Sequence, residues 1–314
     1  MSAEKSVPDC AICGAKVSAC WLAQARDYVT DELFSVWRCA VCDVAATVPH
    51  PVSLDPYYSA QYRRYNWFTA STLRWLYRWR AGRWTRDLAK AGIVLEIGCG
   101  EGWMLAALRS KGWRVVGSER TLEAARPARG GQNLPIFVGS LDAVCPDQRF
   151  DAIVLFHALE HMTAPMDLLR QCAGLLKPGG TLIVAVPNAQ SWQARIFGAH
   201  WFHLDVPRHL FHFSPQALTW AFRAAGLEPD LPMFASFEHD PYGWLQSLLN
   251  RLGLPQNRLT KALMGSEGVR RFRVALVGLS GLAALLTVPS VIIAACSWMA
   301  SAGAVMEMRA KKPV

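Results

Sequence analysis

The sequence predicts an α/β protein built on a mostly parallel sheet with helices on both faces. Three observations carry this. Short runs rich in Val, Ile and Leu alternate with helical segments from residue 93 onward. Each run is bounded by Gly, Pro or Asp. One run, 93–97, feeds directly into three alternate glycines and then a helix. Strands that are apolar throughout, rather than at every second residue, belong to sheets covered on both faces.

Taken in order, the expected strands are 93–97, 113–117, 135–138, 151–156 and 181–186. The expected helices are 102–111, 121–128, 165–176 and 215–225. Upstream, Phe34–Arg38 reads as a strand entering the second of two cysteine pairs, Cys10-Ala-Ile-Cys13 and Cys39-Ala-Val-Cys42. Prolines 49, 51 and 56 mark a linker. Residues 57–90 interleave Trp75, Trp79 and Trp84 with arginines at near-helical spacing and read as one or two basic, aromatic helices. From about 236 the rhythm is lost. A basic stretch is followed by 33 residues, Val274 to Met306, without a charged side chain, and then by a strand-like 304–310. Composition thus divides the chain into 1–56, 57–90, 91–235, 236–303 and 304–314.

With 52% hydrophobic and 18% charged residues in 314, the chain is neither disordered nor fibrous and can bury a sizeable core. The net charge of +9 calls for an anionic partner: nucleic acid, an acidic membrane surface or a phosphorylated substrate. The first ten residues contain no apolar stretch, so no signal peptide is expected, and the nine cysteines are expected to be reduced. Two C-x2-C pairs separated by 25 residues are a zinc signal, because two tight thiolate turns close one tetrahedral site. Cys10, Cys13, Cys39 and Cys42 are its candidate ligands, and a four-cysteine site leaves no open position, so its role is structural. Cys20, Cys99, Cys145, Cys172 and Cys296 lack such partners and read as small core residues.

The most informative stretch is Val94-Leu-Glu-Ile-Gly98-Cys-Gly100-Glu-Gly102. Glycines after a buried strand let the backbone turn sharply and approach a ligand. A dinucleotide fingerprint needs its third glycine at 103, which is Trp103; the spacing here is G-x-G-x-G, which disfavours a pyrophosphate on the helix N-terminus. Glu119 follows Gly98 by 21 residues, at the end of the next strand, where a carboxylate can accept both hydroxyls of a ribose.

These residues resemble the class I S-adenosylmethionine-dependent methyltransferases. VLEIGCGEG is similar to their first motif, Phe137–Asp142 to the segment after the third strand, Phe150-Asp151-Ala-Ile-Val to the fourth strand, and Leu176-Lys-Pro-Gly-Gly-Thr-Leu-Ile-Val to the turn and fifth strand. The resemblance implies a Rossmann-like seven-stranded sheet carrying a small N-terminal zinc ribbon and an apolar helical insertion before the last strand. It implies S-adenosylmethionine as cofactor, with Glu96, Gly98, Gly100, Gly102, Glu119, Ser140, Leu141, Asp142 and His157 around it.

His157-Ala-Leu-Glu160-His161 resembles the LEH segment of the subgroup that includes ubiquinone-type and cell-surface biosynthetic methyltransferases. By that resemblance Glu160 and His161 are candidates for base, metal contact or acceptor orientation. The alternative is that the segment only caps a helix and shapes the pocket, since alignment alone can drive methyl transfer. His200, His203, His209 and His212 fall within one aromatic loop, and His209 is the acceptor-side candidate. No nucleic-acid methyltransferase signature stands after the fifth strand, where Pro187-Asn188 is found, so nucleic acid is not the expected partner.

The expected acceptor is small or lipid-linked, from polysaccharide, glycolipid or quinone-like metabolism. A methyltransferase-like scaffold without activity is the competing class. One helix over Val274–Met306 would be about 50 Å long, beyond the roughly 30 Å hydrocarbon core. The resemblance of 305–310 to the family's final strand keeps both flanks on one side. An apolar hairpin bent near Thr287–Ser290 at the cytoplasmic face of a membrane is therefore expected, with a soluble helical lid or dimer interface as the alternative.

Overall fold

The computed structural model describes residues 9–58, 67–88, 91–139, 141, 148–263 and 273–314. In chain order the elements are β1 (Ala19–Arg26), β2 (Leu33–Arg38), β3 (Ala45–Val48), α1 (Trp67–Asp87), β4 (Ile93–Ile97), α2 (Trp103–Arg109), β5 (Arg114–Glu119), α3 (Leu122–Arg126), β6 (Ile136–Val138), β7 (Phe150–Phe156), α4 (Pro165–Leu175), β8 (Leu176–Pro187), α5 (Trp192–Phe197), β9 (Phe211–His212), α6 (Pro215–Ala224), β10 (Glu228–Pro229), α7 (Asp240–Arg251), α8 (Arg258–Leu263), α9 (Arg273–Met299) and β11 (Val305–Lys311). They form two compact units. A sheet unit holds 70–186, 218–232 and 307–314; a cysteine unit holds 1–69, 187–217 and 233–306.

In the sheet unit seven strands run in the order β10-β11-β8-β7-β4-β5-β6. The five strands from β8 to β6 are mutually parallel, and β10 pairs antiparallel with β11. β4 lies between β5 and β7, so the chain winds outward through β5 and β6 and then returns to β7 and β8. That reversal is a topological switch point, and ligands bind beyond the carboxyl ends of the strands that flank it. Leu105, Leu108, Trp113, Val154 and Ile183 form part of the core.

One buried carboxylate ties the first helix to the last strand. Glu307 on β11 accepts from Arg80 at 2.8 Å, Arg83 at 2.7 Å and Trp84 Nε1 at 2.7 Å, all from α1. Arg80 also lies 4.9 Å from the centre of the Phe156 ring. The Arg and Trp residues that read as a basic, aromatic surface are therefore partly internal: Arg80 and Trp84 are buried, while Trp75 and Trp79 stay exposed.

In the cysteine unit β1, β2, β3 and β9 form an antiparallel sheet. Its fourth strand comes from the loop after β8, which composition grouped with the methyltransferase core. Phe34, Val36, Phe197, Trp201, Leu204 and Trp244 share one core. Arg208, fully buried, is held by Asp27 at 2.8 Å and Asp205 at 2.7 Å and donates to the Tyr57 carbonyl at 2.7 Å. Those bonds fasten the loop to the β1–β2 hairpin. At the start of α7, buried Asp240 accepts from the Trp298 indole and from the Val305 amide at 3.1 Å.

The apolar segment departs from the expected hairpin. It is one continuous helix, α9, with Pro289 inside it. A proline removes a single donor and bends a helix without ending it when packing continues on both sides. Here Ala283 and Leu286 pack before the proline, and Ser290, Ala294 and Ser297 are buried after it. Among the described residues no helix is long and apolar enough to cross a membrane.

Replacing Glu307 with alanine leaves two guanidinium groups without their carboxylate in the interior. We expect the variant to lose about 3–5 kcal/mol, read by urea denaturation of the sheet unit. A loss below about 1 kcal/mol, the range of exposed pairs, would show that the clamp is not structurally decisive.

Candidate active site and metal centre

β4 ends at Ile97, and the next turns need backbone that only glycine adopts at little cost. Gly98 (φ 72°), Gly100 (φ 51°) and Gly102 (φ 71°) are all left-handed. The Gly98 amide donates to the Ser118 carbonyl at 2.9 Å, which holds the turn against the end of β5. Glu119, the last residue of β5, accepts from the Gly100 amide at 2.5 Å. The structure thus brings together the glycines and the acid that the sequence proposes for a ribose.

Glu96 lies directly beneath, fully buried. Burial, then the charge of Glu119, pushes its carboxyl well above the usual carboxylate range, while the Leu105 amide opposes this. One of its oxygens has no hydrogen-bond partner among the described residues. S-adenosylmethionine presents a cationic ammonium and sulfonium beside a ribose. A buried, unpartnered carboxyl oxygen next to a second acid and an open glycine turn fits that group. Leu141 is buried after β6; Ser140 and Asp142 lie outside the described residues.

At the end of neighbouring β7, His157 adopts φ 51°. A non-glycine residue holds that conformation only where its surroundings over-determine it, and such residues gather at functional sites. The following 3-10 turn, Leu159–His161, places Glu160 Oε1 at 3.2 Å from His157 Nδ1. Glu160 is buried, and its Oε2 has no partner among the described residues. His161 is half-buried on the same turn.

Sequence reasoning missed the aromatic wall beside this site. Tyr77 of α1 packs against Phe156 (5.6 Å between ring centres) and Trp103 (6.0 Å). No local pattern marks Tyr77, because its partners come from the start of α2 and the end of β7.

His209 sits in the cysteine unit, where its Nδ1–H donates to the His203 carbonyl at 2.9 Å. Its Nε2 lies 3.9 Å from Asp205 Oδ2. His212 is structural. Burial pushes it down to about 3, so it is neutral. The Thr47 hydroxyl spends its only proton on the His209 carbonyl at 2.7 Å, so His212 Nε2–H donates to Thr47 at 3.0 Å. Asn188 is likewise a bracket: its side-chain amide donates to the Gly303 carbonyl at 3.0 Å.

The four cysteines converge as the spacing predicts. After each pair one residue turns left-handed, Gly14 (φ 75°) and Asp43 (φ 65°). The two loops share their bonds: Gly14 N to Cys10 O and Cys10 N to Ala15 O, then Asp43 N to Cys39 O and Cys39 N to Val44 O. Cys10 and Cys42 sulfurs lie 3.4 Å apart, Cys13 and Cys39 sulfurs 3.5 Å, and all four fall within 4.8 Å. A tetrahedral zinc with bonds of about 2.3 Å needs sulfurs roughly 3.8 Å apart, so the set can close on one ion. The Cys42 thiol bonded to Cys10 holds Cys10 down at about 5, in the thiolate form a metal requires. Of the cysteines read as core residues, Cys99 and Cys172 are buried, whereas Cys20 and Cys296 are exposed.

Residues 77–231 match the family model of the methyltransferase domain. The chain is 30% identical over 170 residues to a ubiquinone biosynthesis O-methyltransferase of Cereibacter sphaeroides, covering 50% of this chain and 68% of that protein. It is 30% identical over 181 residues to the Bordetella avium protein of the same name, covering 52% and 74%. The chain is an S-adenosylmethionine-dependent methyltransferase. A solved methyltransferase from Archaeoglobus fulgidus is similar to it at 19% identity and a TM-score of 0.49, covering 79% of this chain and 100% of that one.

In this methyltransferase, Glu119→Ala removes about two hydrogen bonds to the ribose. If Gly98, Gly100 and Glu119 form the site, that loss should weaken S-adenosylmethionine binding by roughly 2–3 kcal/mol. Gly100→Val should abolish binding by collision. Unchanged calorimetric affinity in both variants would remove the site from the end of β4.

Proposed function

We propose that the enzyme methylates a hydroxyl of a small or lipid-linked acceptor, of polysaccharide, glycolipid or quinone-like type, at the cytoplasmic face of a membrane. The observation that carries the chemistry is the His157–Glu160 pair at the carboxyl end of β7, one strand from the glycine turn. The relatives, named for ubiquinone O-methylation, favour a phenolic, quinone-like acceptor.

Methyl transfer is an in-line displacement, and a hydroxyl acceptor must also lose its proton. When bound, S-adenosylmethionine supplies an electrophilic methyl group on sulfur. Glu96, the glycine turn and Glu119 hold it. Glu160 has one oxygen engaged by His157 and the other without a hydrogen-bond partner among the described residues, so it can take the acceptor proton while His157 fixes its orientation. His161 on the same turn, and His209, are the further residues we assign to acceptor contact.

Substitution of Glu160 by Gln, or His161 by Ala, should cut turnover about 100-fold or more while cofactor affinity barely changes. Labelled cofactor with catechol-type acceptors and with membrane lipid extract reads this. Near-normal turnover in both variants would leave alignment alone as the source of catalysis.

We also propose that Cys10, Cys13, Cys39 and Cys42 hold a structural zinc. Purified protein should carry about one zinc per chain, lost on Cys39→Ser. The cysteine unit should then become protease-sensitive while the sheet unit keeps its cofactor affinity. Absence of zinc after reducing, chelator-free preparation would overturn this.

A further inference from the structure

Helix α9 carries large apolar side chains on its outer face. Side chains along its second half sort by helical spacing into two faces. Inward lie Leu286, Ser290, Ala294, Ser297 and Trp298, with Ala294 and Ser297 no more than 1% exposed. Outward lie Leu285 (73% exposed), Val288 (65%), Ile292 (57%) and Met299 (80%), with Val291, Ile293 and the thiol of Cys296 beside them. A helix on a water-facing surface carries polar residues on its outer face. Phe237, also exposed, stacks on Trp298 at 4.9 Å and extends the apolar surface at the helix's carboxyl end.

We propose that the outward face of α9 docks the protein onto an anionic lipid bilayer, with the helix lying in the plane of the interface. The inference deepens the membrane-surface reading above and rests on it, by naming the element that makes the contact.

Four observations favour lipid over a second protein surface. The face holds no charged side chain. Among the described residues the hydroxyl of Thr287 donates back to the Ala283 carbonyl at 2.7 Å. Protein interfaces instead mix an apolar centre with a polar rim and about ten hydrogen bonds. The chain carries a net charge of +9, and Arg270, Arg271 and Arg273 precede the charge-free run while Arg309, Lys311 and Lys312 follow it in sequence. Basic residues flanking an apolar helix are attracted to anionic headgroups. Finally, the inner face is committed to protein: Ala294 and Trp298 pack in the core of the cysteine unit, and Leu286 packs with Leu245, Leu249 and Leu259. A helix so held lies on a bilayer and does not traverse it.

The test uses the full chain and sedimentation with two vesicle types, phosphatidylcholine alone and phosphatidylcholine mixed with phosphatidylglycerol. Wild type should pellet with the mixed vesicles. Val288→Asp/Ile292→Asp, at exposed positions, should reduce that partition at least tenfold while cofactor affinity and thermal midpoint remain unchanged. Ile292→Leu should bind as wild type does. If wild type and the double variant bind the mixed vesicles equally, α9 is not the contact although the membrane reading stands. If wild type binds neither vesicle, both fail. If light scattering shows a dimer that the double variant dissociates, with no vesicle binding, the face meets a second copy and the proposal is overturned.

Discussion

The carboxylate of Glu307 is the interaction on which the sheet unit depends. It sits on β11 yet bonds three side chains of α1, so the two ends of the catalytic chain are locked by one buried group. Two guanidinium groups share that carboxylate, and neither could stay in the interior without it. The consequence reaches the active site. With α1 held, Tyr77 lies against Phe156 and Trp103, the residues next to His157 and Gly102. A wall of the cofactor site is therefore positioned by a residue near the end of the chain.

Much of the sheet and its glycine turn was legible because the signals are local. Apolar runs, the G-x-G-x-G spacing and Glu119 lie within one strand–helix–strand passage, and their distances along the chain are set by the fold's own repeat. The LEH segment was legible through its resemblance to the methyltransferase subgroup, and the paired cysteine loops through their own C-x2-C spacing. The clamp was not. Arg80 and Glu307 are far apart in sequence, and an arginine among tryptophans reads equally well as a surface residue. Pro289 misled in a different way: a proline argues for a break, but the packing on either side lets α9 continue through it.

The cysteine module also proved less separate than its composition suggests. Its sheet needs β9, which arrives from beyond β8. Its second knuckle is tied to the same loop, since Asp43 accepts from the Gln190 side chain at 2.7 Å. Thr47 bonds the His209 carbonyl and Arg208 bonds Asp27. A metal that fixes the Cys39–Cys42 loop thereby also restrains the strand and loop that present His209. A four-cysteine site has no open coordination position, so any influence it had on His209 would run through the backbone of the cysteine unit.

The exposed face of α9 sets a conflicting demand. A large apolar surface in water favours association, and proteins that carry one offset it with net charge or with a dedicated partner. The charge of +9 supplies repulsion between copies, and the same charge attracts an anionic surface. Leu286 and Trp298 fill the inward space beside the small residues of α9, and the remaining large side chains face outward. Its hydrophobicity is therefore a consequence of which side was given to packing, and the side left over has the chemistry of a lipid contact.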